Sequence, residues 1–466
     1  MSDYLPGGAK TVVPAGPLAD QPAGRLYGRL WRWHLLAALL VIPFVLWQST
    51  TGTIYLWSEW WMDQTHSELR FVQPGATSVP PSVQLAAALE AAPKEFSARV
   101  TGGHGHGGGG AAHDHGAMAE RGGPPVQEII LSDDPRRSTQ VMMLDEIGLP
   151  YPIFVDPYSG RVLGSLTGTQ WLPGLTRALH GGWPLGKPGS WLLELADGWA
   201  IFMILSGLYL WWPRQRGFLA SLCPRFDRGS RIMMRDLHAA VAVLFSAVFL
   251  FFLISALPWT AFWGGEILSR VQTALGQKST AGFSPGGASA RQMAAVQKPI
   301  DDLVAEARAR GISQALSVRL APWPGAPLYI SNRNGPPSAD RVILGNPKTG
   351  EVTRDALRAD QPVIPRMVGF GIHVHQGDFG LWNLWMNTAF ALSLVWLTVT
   401  GVASWWMRRP RGSLGIPRKI ELRWPRALIA TATALCLLLP IFGASVLLLL
   451  GLERLLVRRG KPDPAG

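Results

Sequence analysis

Apolar residues along this chain gather into five stretches of bilayer length, roughly 35–57, 191–212, 237–257, 380–406 and 427–451, separated by segments that return to polar or alternating patterns. A hydrocarbon core needs about 20 apolar residues in helical form, because every backbone N–H and C=O must find its partner within the segment. The first four stretches predict transmembrane helices. The fifth is interrupted by Pro440 and followed by Arg454, Arg458 and Arg459, so it predicts either a fifth span or an interfacial helix. The long segments 58–190 and 258–379 carry short apolar runs around two turns, Val155-Asp-Pro-Tyr-Ser-Gly-Arg-Val162 and Gly345-Asn-Pro-Lys-Thr-Gly-Glu-Val352. Pro and Gly at such positions reverse a strand pair, so each segment predicts a small α+β lobe with an antiparallel sheet.

Charge sets the expected orientation. Arg25, Arg29 and Arg32 precede the first stretch, which lacks a small-residue cleavage site and reads as an anchor. Arg214, Arg216, Arg225, Arg228, Arg231 and Arg235 fill the loop 213–236, and Arg408, Arg409, Arg411, Arg418 and Lys419 the loop 407–426. By the positive-inside rule, the N-terminal segment 1–34 and both loops are expected in the cytoplasm of a bacterial inner-membrane protein. Both lobes are then expected in the periplasm. A tail, 452–466, follows the last stretch.

The chain also repeats. Leu205-Ser-Gly-Leu-Tyr-Leu-Trp-Trp-Pro-Arg214 parallels Val399-Thr-Gly-Val-Ala-Ser-Trp-Trp-Met-Arg408, each closing a span at the basic side. With the matching turns, this predicts duplicated two-helix units around a four-helix core, in which a histidine of one half can meet its counterpart in the other.

Composition narrows the function classes. With 48% hydrophobic residues, 21 Trp and 16% charged residues, the chain fits a membrane protein, and its net charge of +12 is spent beside apolar stretches rather than on a nucleic-acid surface. Lipid is the expected surrounding partner and nucleic acid is not. The two cysteines, Cys223 and Cys436, provide neither a disulfide framework nor a thiolate cluster, and without Cys-x-x-Cys-His there is no covalent c-type haem.

Ten histidines carry the candidate chemistry. His104, His106, His113 and His115 lie in a His/Gly-rich insertion, 102–116, whose imidazoles suit loose binding of Cu, Ni or Zn, although a solvated insertion explains them as well. His66 stands alone and reads as a surface residue. The rest sit beside spans. His34, after Trp31-Arg-Trp, and His238, after Arg235-Asp-Leu, are equivalent on one membrane face; His180, in Arg177-Ala-Leu-His, and His373 and His375, in Gly371-Ile-His-Val-His-Gln-Gly-Asp-Phe-Gly380, are equivalent on the other. Two symmetric pairs near hydrocarbon point to ligation, since ionisable groups there are costly. Zinc wants three or four protein ligands, whereas a haem brings four nitrogens and needs only two imidazoles, so two b-type haems are the expected cofactors. Arg177 and Arg235 each precede a candidate ligand by three residues, which places them on its helix face, where they would meet haem propionates or act as interfacial anchors. Glu194 and Asp197 are the closest approach to an ion path. Their place near the end of the second span suggests water exposure or a haem-linked proton role.

On Leu30-Trp-Arg-Trp-His34, Leu179-His180, the Val155–Gly164 turn, Arg235-Asp-Leu-His238 and His375-Gln-Gly-Asp-Phe-Gly380, the chain resembles the PepSY-associated transmembrane family, which includes proteins described as iron-regulated or as ferric-siderophore reductases. The resemblance runs from about Arg25 onward. It implies a four-helix core with PepSY lobes in the periplasm, two haems bound through His34, His238, His180 and His375, and His375 rather than His373 as ligand. It further implies a haem-dependent oxidoreductase taking electrons from an unidentified cytoplasmic or membrane donor to a ferric siderophore or other periplasmic metal complex. No nucleotide-binding fingerprint is visible, so the donor would be a separate protein or quinol. The alternative is a non-redox, membrane-anchored protein that senses metal or restrains a peptidase.

Overall fold

The computed structural model describes residues 22–93, 125–213, 217–279, 288–320, 325–333, 340–417 and 425–459. Helices α1 (Pro22–Thr65), α2 (Ser67–Arg70) and α3 (Pro81–Ala91) are followed by strands β1 (Pro125–Leu131), β2 (Thr139–Leu144), β3 (Pro150–Val155) and β4 (Val162–Ser165). Then come α4 (Leu172–His180), α5 (Lys187–Trp211), α6 (Phe218–Leu222), α7 (Ser230–Ala256) and α8 (Ser269–Ala274). The second half continues with β5 (Ala288–Ser289), α9 (Ala290–Ala295), α10 (Gln297–Ala309), β6 (Leu316–Leu320), β7 (Leu328–Asn332), β8 (Arg341–Gly345) and β9 (Val352–Leu357), and ends with α11 (Val363–Gln376), α12 (Leu381–Arg408), α13 (Arg426–Leu438) and α14 (Pro440–Arg459).

Among the described residues four helices, α1, α5, α7 and α12, are long and apolar enough to cross a membrane. They form a ring in which α1 packs on α5 and α12, and α7 packs on the same two. The fifth apolar stretch is two helices, because Pro440 has no N–H to continue α13 and the backbone turns at Leu439. A Cβ on Gly443 would lie 2.6 Å from the Cys436 carbonyl oxygen, so α14 folds close against α13. The pair docks outside α5, where Trp199 Nε1 donates to Ser445 Oγ at 3.1 Å and Trp263 Nε1 to the Leu438 carbonyl at 2.8 Å.

Outside the helical ring the strands run antiparallel, and the two expected lobes are joined. One sheet has the order β4-β3-β2-β1-β6-β7-β8-β9, with β5 paired to β1. Each half would otherwise expose an unpaired edge, and pairing β1 with β6 (Ile129↔Val318, Ile130↔Ser317, Leu131↔Leu316) removes both. Glu128 on β1 locks the junction, accepting from Ser317 Oγ at 2.6 Å, Arg319 Nη2 at 2.7 Å and Arg333 Nη1 at 2.6 Å. Burial alone would raise that carboxyl, but Arg319 and Arg333 outweigh it and hold it well below the usual carboxylate range. The two anticipated turns are built alike: Gly160 (φ +71°) and Gly350 (φ +75°) take the left-handed conformation, and their N–H groups donate to Asp156 and Asn346 carbonyls at 2.9 and 2.8 Å.

One sheet face packs under α3, α9 and α10 through Ile129, Val141, Leu316, Val318, Ile330 and Ile343. The other face receives the end of α1, where Met62 joins Ile130, Met142, Phe154 and Trp171. Arg70, 3% exposed, bridges Glu59 and Asp63 of α1 at 2.6 Å each, and Asp63 also binds Arg137 at 2.6 Å. A single helix therefore runs from the ring into the sheet, so residues on α1 are fixed relative to both.

Candidate functional site

Inside the ring lies a cavity of about 1300 Å³, bordered by His34, His180, His238, His375, Arg177 and Arg235. All six residues singled out by spacing thus meet in one space. His34 and His238 border its end farther from the sheet, and His180 and His375 the nearer end. The rings of His180 and His375 have centres 6.2 Å apart and stand nearly perpendicular, with planes at 75°.

Each imidazole is held in the same manner. His34 Nδ1 lies 3.0 Å from Ser206 Oγ, His180 Nδ1 3.0 Å from Thr51 Oγ1, and His375 Nδ1 3.5 Å from Ser255 Oγ. His238 Nδ1 lies 3.0 Å from the Leu397 carbonyl oxygen, with Thr400 Oγ1 at 3.4 Å. These hydroxyls spend their own protons on backbone carbonyls, Ser206 on Met203, Thr51 on Trp47, Ser255 on Phe252 and Thr400 on Trp396. With those protons spent the hydroxyls accept, and the Leu397 carbonyl accepts from His238. The tautomer protonated at Nδ1 fits this arrangement and leaves the Nε2 lone pair for a ligand. Orienting a metal-binding histidine through its other ring nitrogen is the usual device of metal sites.

Glycine makes room for three of the rings. A Cβ at Gly52, Gly207 or Gly401 would stand 3.2 Å from Cε1 of His180, His34 or His238 respectively. Each glycine directly follows its hydroxyl residue, in Thr51-Gly52, Ser206-Gly207 and Thr400-Gly401. Sequence reasoning missed these orienting hydroxyls, although two of the pairs fall inside the repeated stretches that close the second and fourth spans. Thr51 follows His34, and Ser255 follows His238, by about 17 residues, or roughly 25 Å of helix.

The structure separates His375 from His373. At the C-terminal end of α11, Gly377 (φ +85°) stops the helix, while Asn387 Nδ2 donates to the Val374 and His375 carbonyls at 2.8 and 3.0 Å and Asn383 Nδ2 to Val374 at 2.9 Å. This places His375 on the cavity. His373 is turned to two carboxylates, with Nδ1 2.7 Å from Asp378 and Nε2 3.1 Å from Asp340, and Asp340 is further bound by Arg358. Burial lowers the His373 imidazole, but the two carboxylates outweigh it and raise it to about 9. Because the folded value lies above the ordinary 6.5, this contact stabilises fully below pH 6.5 and fades as pH rises through 9. Thermal denaturation of the purified protein is therefore expected to show a loss of stability from pH 7 to 9.5 that is smaller in Asp378→Asn. An equal loss in both would remove His373 as its cause.

The remaining candidates separate. Arg235 pairs with Asp236 at 2.8 Å, and Arg225 shares that carboxylate at 2.7 Å. Glu194 is not water-exposed: it is 2% exposed and accepts from Thr260 Oγ1 at 2.8 Å and Trp263 N at 3.0 Å. Asp197 borders the cavity. His66 lies 2.9 Å from Thr65 Oγ1, away from the cavity. His104, His106, His113 and His115 lie outside the described residues. Among the described residues no group of three or more His, Cys, Asp or Glu is placed to hold a bare metal ion.

The cavity suits a planar group that brings its own metal. A metal joined to two imidazoles by bonds of about 2 Å needs ring centres roughly 6 Å apart, as His180 and His375 have. The volume exceeds the range of roughly 300–1,000 Å³ common for sites of one small ligand. A helical ring enclosing paired histidines, tied to an antiparallel sheet by one continuous helix, defines a multi-pass membrane protein with an internal cofactor-sized chamber. The chain matches the PepSY-associated TM region family over residues 31–408 and belongs to it. No curated protein matches the chain.

Proposed function

We propose that this protein carries electrons across the bacterial inner membrane, with two b-type haems held by His34 with His238 and by His180 with His375. The observation that carries this reading is the approach of His180 and His375 to 6.2 Å between ring centres on one cavity, each with a hydroxyl beside Nδ1. Haem supplies reversible one-electron storage at an iron that already has four ligands. The chain's residues would hold and orient the group, the apolar helices would keep water from its faces, and Arg177 and Arg235, at opposite ends of the cavity, would receive propionates.

Direction follows from charge. Arg32, Arg225, Arg235, Arg408 and Arg409 gather at the end away from the sheet, which is the cytoplasmic end by the positive-inside rule. A cytoplasmic or membrane donor then delivers electrons on the His34 side, and the acceptor takes them on the sheet side. By resemblance to the family, the acceptor is ferric iron in a siderophore or another metal complex. One electron per Fe(III) gives Fe(II), which hard oxygen ligands bind less well. An extracytoplasmic reporter fused near Pro157 or Pro347 is expected to be active, and one fused near Arg411 silent; the reverse pattern would invert the path.

The decisive measurement is an absorption spectrum of detergent-purified protein, oxidised and then dithionite-reduced. We expect about two non-covalent haems per chain with the low-spin spectrum of two nitrogen axial ligands. A colourless preparation from haem-sufficient cells would rule out the reading.

A further inference from the structure

Asp197 has no task in this scheme. It lies on α5 about nine residues from Ser206 and about seven from Ser190, hence roughly 13 Å along the helix from the His34 level and roughly 10 Å from the sheet-side end of the cavity. It is half-buried and borders the cavity. It forms no hydrogen bond or ion pair with any described residue. Among the described residues its charged neighbour is Glu194, of the same sign and already engaged by Thr260 and Trp263.

The other titratable groups on the helices packed against α5 sit toward the ends: Arg25, Tyr27, Arg29, Arg32, His34, Tyr55, Glu59 and Asp63 on α1, Arg231, Arg235, Asp236 and His238 on α7, and Glu453 on α14; Arg177 and His180 of α4 border the same cavity. Acidic groups inside a membrane are costly and are ordinarily kept for use. A carboxylate and an added electron in one low-dielectric chamber repel, so either disfavours the other unless a proton arrives.

We propose that Asp197 is the proton-accepting group of the chamber. When an electron is taken up between the helices, a proton from water at the mouth of the cavity binds the Asp197 carboxylate and makes it a neutral acid. When the electron leaves, the proton leaves with it. This rests on the reading of the histidine pairs as haem ligands. Linkage is reciprocal, so if the electron favours protonation, protonation favours the electron. Transit through the protein is thus tied to transient uptake of one proton per electron.

The test is a spectroscopic redox titration of the haem-loaded protein between pH 5.5 and 8.5. In the wild type at least one midpoint potential is expected to fall as pH rises, by up to about 59 mV for each tenfold drop in proton concentration, the value for one proton per electron. Propionates contribute a slope common to wild type and variants. In Asp197→Asn the slope should shrink to that common part, and in Asp197→Glu it should persist at a displaced pH. A redox-difference infrared spectrum of the wild type should contain a carboxylic acid C=O band that Asp197→Asn lacks. Unchanged slopes in a haem-loaded Asp197→Asn, or absence of the carboxylic band from the wild type, would overturn the inference while leaving the haem reading intact. Protein without haem would overturn both.

Discussion

His375→Ala is expected to remove one of two haems and to abolish electron delivery to an external acceptor, whereas deletion of residues 102–116 leaves both close to wild type. The contrast follows from what each segment is tied to. His375 borders the cavity, approaches His180 to 6.2 Å between ring centres, and is set by two asparagines and a left-handed glycine at the end of α11. No other described imidazole is placed to replace it, since His373 is committed to Asp340 and Asp378. The segment 102–116 is rich in glycine, polar and without periodicity, so it has little apolar surface to bury. Its deletion is expected to lower only the capacity for added Cu(II), Ni(II) or Zn(II). The measurements are haem content, reduction of a ferric chelate and metal uptake. Loss of activity on deleting the loop, with His375→Ala silent, would move the chemistry to the loop and favour the metal-sensing alternative.

The second large effect concerns residues with no metal-binding group of their own. Gly207→Leu is expected to empty the site of His34 and His238 while the site of His180 and His375 stays filled. The added side chain begins 3.2 Å from His34 Cε1, and an imidazole held between a helix and a cofactor has nowhere to retreat. Ser206→Ala removes one hydrogen-bond acceptor, worth about 1 kcal/mol in stability. Because that acceptor sets the ring's tautomer, retention of the metal group should fall by roughly 10–100-fold, as is typical of such partners. Haem stoichiometry after dilution with a competing apo-protein measures both. Full retention in both variants would mean that the ring is oriented by something other than Ser206-Gly207.

What the sequence by itself determined is what local patterns encode. Four helices of bilayer length follow from runs of apolar residues, the matching hairpin turns from Gly160 and Gly350, and the cavity's six candidate residues from spacing and repetition. The helices and turns rest on interactions within a few residues of chain, and the candidates on a pattern repeated in the sequence, so the residues carry the signal themselves. Only the tertiary structure decided which groups from distant stretches meet. Pairing β1 with β6 turned two lobes into one sheet, because an edge strand's partner is chosen by proximity and not by its own pattern. His373 and His375 have the same residue type two positions apart, and what distinguishes them is Asp340, Asp378 and the cavity. The hydroxyls of Thr51, Ser206, Ser255 and Thr400 look like ordinary small polar residues in apolar helices until the imidazole of another segment is laid against them. Glu194 and Asp197 differ likewise in where α5 faces: the first is covered by the turn after α7 and the second opens on the chamber. The bend at Leu439 was readable from Pro440, but the docking of α14 on α5 was not, because its surface is set by the shape around Trp199 and Gly198.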